Sequence, residues 1–324
     1  MPIDQTDLRC PACGSTSRTL VLTKENDGRR PGAISLHRCS ACDTIYLGVG
    51  AADGYDDDLY AYYAQRAEWP RERLYPVLND IRSGELLRWF ARELDARGGG
   101  RRILDVGCGM GQFVNAATRA QWNVQGIELA AGAVAIARRF GLPVRRLDLF
   151  SGDLVPESFD VATMFEVIEH LPRPGAFLRR VESLLRPGGL MYLTTPNFAC
   201  ADRRILGSEW DAIHREHLVY FTPQTLSALV RRASSLRVVH VETRNISAAA
   251  LRALFAGHPS PTDTPGEGSA SEPASRGQRR TSEQRLRALS EGSLLARTSK
   301  RLANRALNRF DLGNSLVMLL ERPR

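Results

Sequence analysis

Lysine is nearly missing from this sequence. Lys24 and Lys300 are the only two among 44 basic residues, and the rest are arginine. The codon bias of a GC-rich genome accounts for that, so the bias by itself points to no polyanionic partner. Long apolar runs are missing as well. None approaches the roughly 18 residues of a membrane-crossing helix, which excludes a candidate span. The opening MPIDQTDLRC has no basic stretch followed by an apolar core. No secretory leader is visible, and a cytoplasmic location is expected. Six cysteines in 324 residues are too few for a disulfide-dense miniprotein. There is no internal repeat. What is present is ordinary: 43% hydrophobic and 25% charged residues, which excludes a chain disordered throughout. The length suits about two domains, one with a full-sized core and one small accessory module.

The net charge of +8 is concentrated in one place. Between Arg276 and Phe310 ten basic residues face only Glu283 and Glu291, so the remainder of the chain is balanced. Residues 50–75 run the other way, acidic and tyrosine-rich, with Asp53, Asp56, Asp57 and Asp58 together.

Four of the cysteines form two pairs, Cys10-Pro-Ala-Cys13 and Cys39-Ser-Ala-Cys42, each followed by a turn-prone residue, Gly14 or Asp43. Two β-rich runs, RTLVLT and AISLHR, lie between them. Two hairpin-borne knuckles presenting four thiolates make a zinc ribbon of the four-cysteine type. A closed four-thiolate site has no open coordination position, so the zinc is read as structural. Its binding energy would help fold a module too small to stand on its own core.

From Pro76 to Arg97 the apolar residues Val77, Leu78, Ile81, Leu86, Leu87, Phe90 and Leu94 recur at helical spacing, and Gly98-Gly99-Gly100 ends the helix. Strand-like runs then alternate with helical segments: RRILDV, NVQGIEL, PVRRLDL, FDVATMF, GLMYLTT and RVVHVET. This alternation predicts a mostly parallel sheet with helices on both faces. Residues 257–283 are rich in Pro, Gly, Ser and Thr and read as a mobile insertion. A helical pattern resumes to Phe310, and NSLVMLLE is a last strand.

Ile103 to Gly111 carries a buried strand into a glycine-rich loop, with Gly107, Gly109 and Gly111 just before a helix. Such glycines let backbone approach a ligand closely. The spacing is G-x-G-x-G, and Gln112 stands where a dinucleotide fingerprint needs glycine. Asp105 immediately before the loop would repel a pyrophosphate and suits a cationic ligand better. Glu128 ends the next strand, where an acid can accept hydrogen bonds from ribose hydroxyls, and Asp148 ends the third, placed for an adenine amine. One acid at a loop edge is usually just solvated. Three at the carboxyl ends of successive strands mark the edge where open α/β sheets bind ligands.

On these motifs the sequence resembles the class I S-adenosylmethionine-dependent methyltransferases. ILDVGCGMG is similar to their first motif, GIEL to their ribose-binding acid, FDVATMFEVIEHLPRP to their fourth strand and loop, and LLRPGGLMYLTTPN to their fifth-strand motif. The resemblance covers about residues 76–245 plus NSLVMLLE, similar to their antiparallel seventh strand. It implies an α/β, Rossmann-like seven-stranded sheet with an antiparallel last strand. It also implies cofactor contacts by Asp105, Gly107, Gly109, Gly111, Glu128 and Asp148, with Phe150, Met164 and Phe165 as pocket walls. The implied organisation is a ribbon (1–50), a connector and helix (51–100), the methyltransferase core (101–246), an insertion with a basic amphipathic helix (247–312) and the last strand (313–324).

Methyl transfer to a hydroxyl also needs its proton removed. The candidates are Glu166, Glu169 and His170 after the fourth strand, and His217 in the segment His214-Arg-Glu-His217. The first three resemble a segment of ubiquinone-pathway O-methyltransferases and small-RNA 2′-O-methyltransferases that binds a divalent metal. In metal-free relatives the same pattern only orients the loop. Trp210, Tyr220 and Phe221 either line a substrate cavity or pack a core. Cys108 and Cys200 read as inert thiols. The tail helix, with Leu295, Leu302, Ala306 and Phe310 near one face, suits a lid, a peripheral contact with an anionic membrane, or simple solvation. The sequence therefore predicts O-methylation of a small-molecule or glycan hydroxyl. The alternative is an RNA methyltransferase gripping nucleic acid with ribbon and tail, against which the acidic connector counts.

Overall fold

A computed structural model of the chain describes residues 8–25, 32–48, 61–255 and 294–324. The acidic cluster Asp53 to Asp58, the insertion 257–283 and the arginines from Arg276 to Arg287 lie outside the described residues. The main sheet has seven strands. They are β4 (Arg102–Val106), β5 (Asn123–Glu128), β6 (Val144–Arg146), β7 (Phe159–Phe165), β8 (Leu185–Pro196), β10 (Arg237–Arg244) and β11 (Ser315–Glu321). Their order is β10-β11-β8-β7-β4-β5-β6. Strands β4 to β8 run parallel, and β11 lies antiparallel between β8 and β10. The expected sheet and its antiparallel last strand are both present.

Side-chain alternation builds a core on each face of the sheet. On one face Leu104, Ala162, Met164, Met191, Leu193, Leu316 and Met318 pack together. On the other are Ile103, Val161, Leu190, Tyr192, Val317 and Leu319. Helix α1 (Val77–Asp95) covers the second face through Leu87, Phe90 and Leu94. Helices α2 (Gln112–Arg119), α3 (Ala131–Arg139) and α4 (Pro174–Leu184) fill the crossovers. Helix α5 (Pro223–Ala233) starts with Pro at its first turn and a capping box between Thr222 and Thr225.

A second, four-stranded sheet contains the ribbon: β1 (Arg18–Lys24), β2 (Ile34–Cys39), β3 (Ile45–Leu47) and then β9 (Val219–Tyr220). The last of these comes from the α/β part of the chain, so the ribbon's sheet is completed by the core.

The tail helix α6 (Leu294–Arg309) is present but docks the other way round. Asn308 Oδ1 accepts from Thr243 N at 2.8 Å and Asn304 Oδ1 from Asn245 N at 2.9 Å. Leu302 and Phe310 are left 59% and 68% exposed, and Ala306 is exposed too. The edge strand β10 ends in backbone amides that need acceptors, and the asparagines supply them. The apolar stripe is therefore not a lid on the domain.

Candidate active site

Strand β4 delivers Asp105 to the carboxyl edge of the sheet and the chain turns at once through the glycine loop. Gly107 has φ +67°, and a Cβ there would stand 2.7 Å from Val167 Cγ2. Gly111, at φ +80°, caps α2. Both positions require glycine, for conformation and for space. Asp105 is 2% exposed and accepts from Thr163 Oγ1 at 2.7 Å. Burial, reinforced by the charge of Glu128 and only partly offset by the Thr163 hydrogen bond, pushes its carboxyl up to about 7. A cation beside it would restore the charge.

Glu128, at the end of β5, ties the loop together. Its Oε2 accepts from Gly109 N at 2.9 Å, and its Oε1 from Leu129 N at 2.7 Å and Ala130 N at 2.9 Å. Asp148 is exposed just beyond β6, its Oδ1 accepting from Phe150 N at 2.8 Å. Phe165 ends β7 half-buried, its ring 5.0 Å from that of Phe113. Phe150 is half exposed, edge-on to Phe177. Met164 is 1% exposed and packs within the core. Tyr63 is a residue the sequence reading passed over. It is buried, and its hydroxyl lies 3.5 Å from where a Cβ on Gly109 would be, while its own Cβ crowds Gly132. The residues around 61–64 thus fold back over the loop. Their aromatic density was the available signal.

The acceptor-side candidates gather at the ends of β7 and β8. Glu166 adopts φ +53°, a left-handed conformation that is uncommon outside glycine and recurs at functional sites. The residue as a whole is exposed, yet its carboxyl is held against Thr194 and Glu169, and burial raises its pKa. A single 3-10 turn, Ile168–His170, follows. Glu169 is 1% exposed; its Oε2 accepts from Thr195 Oγ1 at 3.0 Å and its Oε1 has no hydrogen-bond partner. Burial, then the neighbouring charge of Glu166, raises its pKa well above the usual carboxylate range. His170 Nδ1 donates to Glu216 O and His217 Nδ1 donates to Ala212 O, both at 2.8 Å. A carbonyl can only accept, so each imidazole carries its lone pair on Nε2. The two rings are 4.7 Å apart, and His217 Nε2 is 4.0 Å from Glu169 Oε1.

Glu169, His170 and His217 have ligand atoms within 4.8 Å of one another. Glu166 is not in that group. His170 is half-buried, whereas His217 is only 7% exposed. Of the two imidazoles expected on the open side, His170 retains solvent access and His217 lies beneath it. Trp210, Tyr220 and Phe221 are at most 2% exposed and belong to the core. Cys200 is fully buried, its thiol pushed up to about 12, and burial likewise raises half-buried Cys108.

In the ribbon, Gly14 N bonds back to Cys10 O and Asp43 N to Cys39 O, and both residues have positive φ. These tight closures aim each pair of thiols inward. Cys10 Sγ lies 3.6 Å from Cys42 Sγ, and Cys13 Sγ 3.5 Å from Cys39 Sγ. Four thiolates around one tetrahedral zinc stand about 3.8 Å apart, from Zn–S bonds of about 2.3 Å.

The arrangement agrees with comparisons to known proteins. A methyltransferase domain family matches residues 78–241, half of the chain. The chain belongs to this methyltransferase family. Relatives of this chain carry the name ubiquinone biosynthesis O-methyltransferase. The Pseudomonas aeruginosa (strain UCBPP-PA14) protein is 33% identical over 138 residues, 40% of this chain and 57% of the relative. The Xanthomonas euvesicatoria protein is 34% identical over 171 residues, 48% of this chain and 67% of the relative. The match therefore spans little more than half the length of the first of them. A SAM-dependent methyltransferase from Archaeoglobus fulgidus superposes with a TM-score of 0.45 at 16% identity, covering 74% of this chain and 94% of that one.

Proposed function

We propose that this protein transfers a methyl group from S-adenosylmethionine to a hydroxyl of a small molecule or glycan. One observation carries the reading. The glycine loop with its acids Asp105, Glu128 and Asp148, and the group Glu169, His170 and His217, stand at the same carboxyl edge of one sheet. Asp105 would meet the cofactor's cationic end, Glu128 its ribose and Asp148 its adenine, with Gly107, Gly109 and Gly111 giving backbone clearance and Phe165 a wall. The cofactor supplies an electrophilic methyl on sulfur. The protein's part is to hold the acceptor in line, exclude water and take up the hydroxyl proton.

His170, the more open imidazole, is the base in this reading, with Nε2 as the accepting atom. His217 backs it. A second reading is favoured by the unsatisfied Glu169 Oε1: a divalent metal held by Glu169, His170 and His217, which would acidify the hydroxyl. Glu166 then serves outside the metal group, shaping the loop. Metal content and the Glu169 variant separate the two, since a chelator would strip the ribbon as well. If His170 is the base, the protein holds about one metal per chain and Glu169→Ala is milder than His170→Ala; if a metal acts at the site, a second metal per chain is found and Glu169→Ala is as damaging as His170→Ala.

The ribbon cysteines fit zinc in donor type and spacing, and about one zinc per chain is expected. Metal analysis finding none in protein purified without chelator would refute this. The RNA alternative gains no support: Lys24 of the ribbon turns inward to Ile213 O. Contact of helix α6 with an anionic membrane stays a proposal resting on its exposed Leu302 and Phe310 beside Arg305 and Arg309. The decisive experiment is mass spectrometry of a metabolite extract incubated with enzyme and methyl-labelled cofactor. Label appearing only on nitrogen or carbon would overturn the hydroxyl acceptor.

A further inference from the structure

The segment that carries His214 and His217 has little structure of its own. Between the 3-10 turn Gly207–Glu209 and α5 it forms only the two-residue strand β9. Its order comes from the ribbon. Ile45 pairs with Tyr220 and Tyr46 with Val219, and Leu47 N donates to Leu218 O at 2.9 Å. Lys24, 9% exposed, reaches from β1 to donate to Ile213 O at 3.2 Å. Ile34, Leu36, Ile45 and Leu47 of the ribbon share one apolar cluster with Trp210, Ile213 and Tyr220.

The chain of contacts continues to the imidazoles. Tyr220 Oη accepts from His214 N at 3.3 Å and donates to His214 O at 3.1 Å, bracketing that residue's backbone. The His214 ring lies 3.8 Å from the His217 ring, which faces His170 at 4.7 Å. Leu218 N donates to Glu169 O at 2.8 Å, locking the two loops together. Every link from Lys24 and Ile45 to His217 is buried, and a buried hydrogen-bonded path transmits a shift because it has few alternative packings.

We propose that the cysteine ribbon is the positioning element of the acceptor side of the site. Lys24 and Tyr220 are positioning residues: they hold the 212–217 turn so that His217 stands against His170 and Glu169. The ribbon's knuckles fix the β2–β3 hairpin, and that hairpin fixes the turn. The cofactor side, built on β4 to β6, makes no use of this path. The inference rests on the reading of His170 as the acceptor-side base.

The test uses the full chain and four variants: Lys24→Met, Lys24→Arg, Tyr220→Phe and Cys39→Ser. Cofactor affinity is measured by calorimetry, histidine side-chain resonances by NMR, and turnover by transfer of labelled methyl to a mixture of phenols and sugars. Lys24→Met and Tyr220→Phe should keep cofactor affinity within about twofold, move the His214 and His217 resonances, and lower kcat about tenfold, the scale of one lost buried hydrogen bond. Lys24→Arg, which keeps a donor, should recover most of kcat. Cys39→Ser should do the same as Lys24→Met, more severely, with cofactor binding retained. Unmoved resonances with wild-type kcat in both Lys24→Met and Tyr220→Phe would overturn the coupling. Loss of cofactor binding in Cys39→Ser would make the ribbon a general support of the fold and overturn it too. Full turnover in His170→Ala is the separate result that removes the base assignment, and the catalytic role of the ribbon with it.

Discussion

The two halves of the proposed site are built by different means. The cofactor half uses one continuous stretch: Asp105, the glycine loop, Glu128 and Asp148 follow one another along three successive β–α units. The acceptor half is assembled from Lys24, Ile45, Glu169, Thr195 and the 212–220 turn, which are scattered over the chain and meet only in the fold. A local half announces itself as a motif, because its spacing is set by strand and turn geometry. A scattered half shows only fragments of spacing, here Glu166 to His170 and His214 to His217, and what brings them together depends on a distant module.

The contrast is testable, beginning with the largest effect. His170→Ala should cut turnover by about 100- to 10,000-fold while cofactor affinity is unchanged, as befits loss of a general base. Calorimetry and single-turnover kinetics on the same preparation check both parts, and a matching loss of affinity would blur the two halves. Conversely, Asp105→Ala or Glu128→Ala should weaken binding of the cofactor and its demethylated product by about 10- to 100-fold, the worth of a charged hydrogen bond of about 1.5–3 kcal/mol. Wild-type affinity in both variants would remove the cofactor assignment.

The cofactor half should also carry its own pH signature. The Asp105 carboxyl, pushed up to about 7 by burial, is largely protonated below that pH in the free protein. A cationic ligand binds the ionised form, so affinity should rise as pH increases through 7 and level off above it, with a proton released on binding at lower pH. Affinity flat from pH 5.5 to 8.5 would show that Asp105 does not face the ligand's charge. Smaller still, Gly107→Ala should cost about 1–3 kcal/mol, combining positive φ with a Cβ crowding Val167. Thermal unfolding measures it. The smallest effect is expected from Asn308→Ala, which strips the acceptor from the amide of buried Thr243 near the C-terminal end of β10, about 1 kcal/mol with both halves of the site intact.

What the sequence disclosed follows the same division. The seven strands, the helix over the second face and the knuckle turns at Gly14 and Asp43 are all encoded by local periodicity or turn chemistry, whereas the antiparallel setting of β11 was implied by the family resemblance. So is the conformation of the glycine loop. Pairing of β3 with β9 is encoded by nothing local: Tyr46 and Val219 simply present compatible edges. For the same reason the burial of His217 under His170 was not legible, nor the bracket of Tyr220 around His214. Trp210, Tyr220 and Phe221 looked equally suited to a cavity or a core, because an aromatic ring serves either. The ribbon's apolar face decides for the core at Trp210 and Tyr220, and the main sheet's own core takes Phe221. In the tail, the apolar stripe left a lid, a membrane contact or simple solvation open, and Leu302 and Phe310 are solvated while Asn304 and Asn308 dock the helix on strand-end amides that need acceptors.

Strand β11 has a consequence for how such a chain is made. It sits between β8 and β10, and the loops on either side of that seam join Asn197 to Asp311 across 114 residues. During vectorial synthesis β8 emerges long before its partner, and β10 has no neighbour to pair with in the interval. The nascent protein must therefore carry an open, apolar sheet edge while the whole arginine-rich segment is still being translated. An edge of that kind invites pairing with another chain. The intervening net positive charge, close by in sequence, would keep neighbouring nascent chains on a polysome apart until β11 arrives to close the seam.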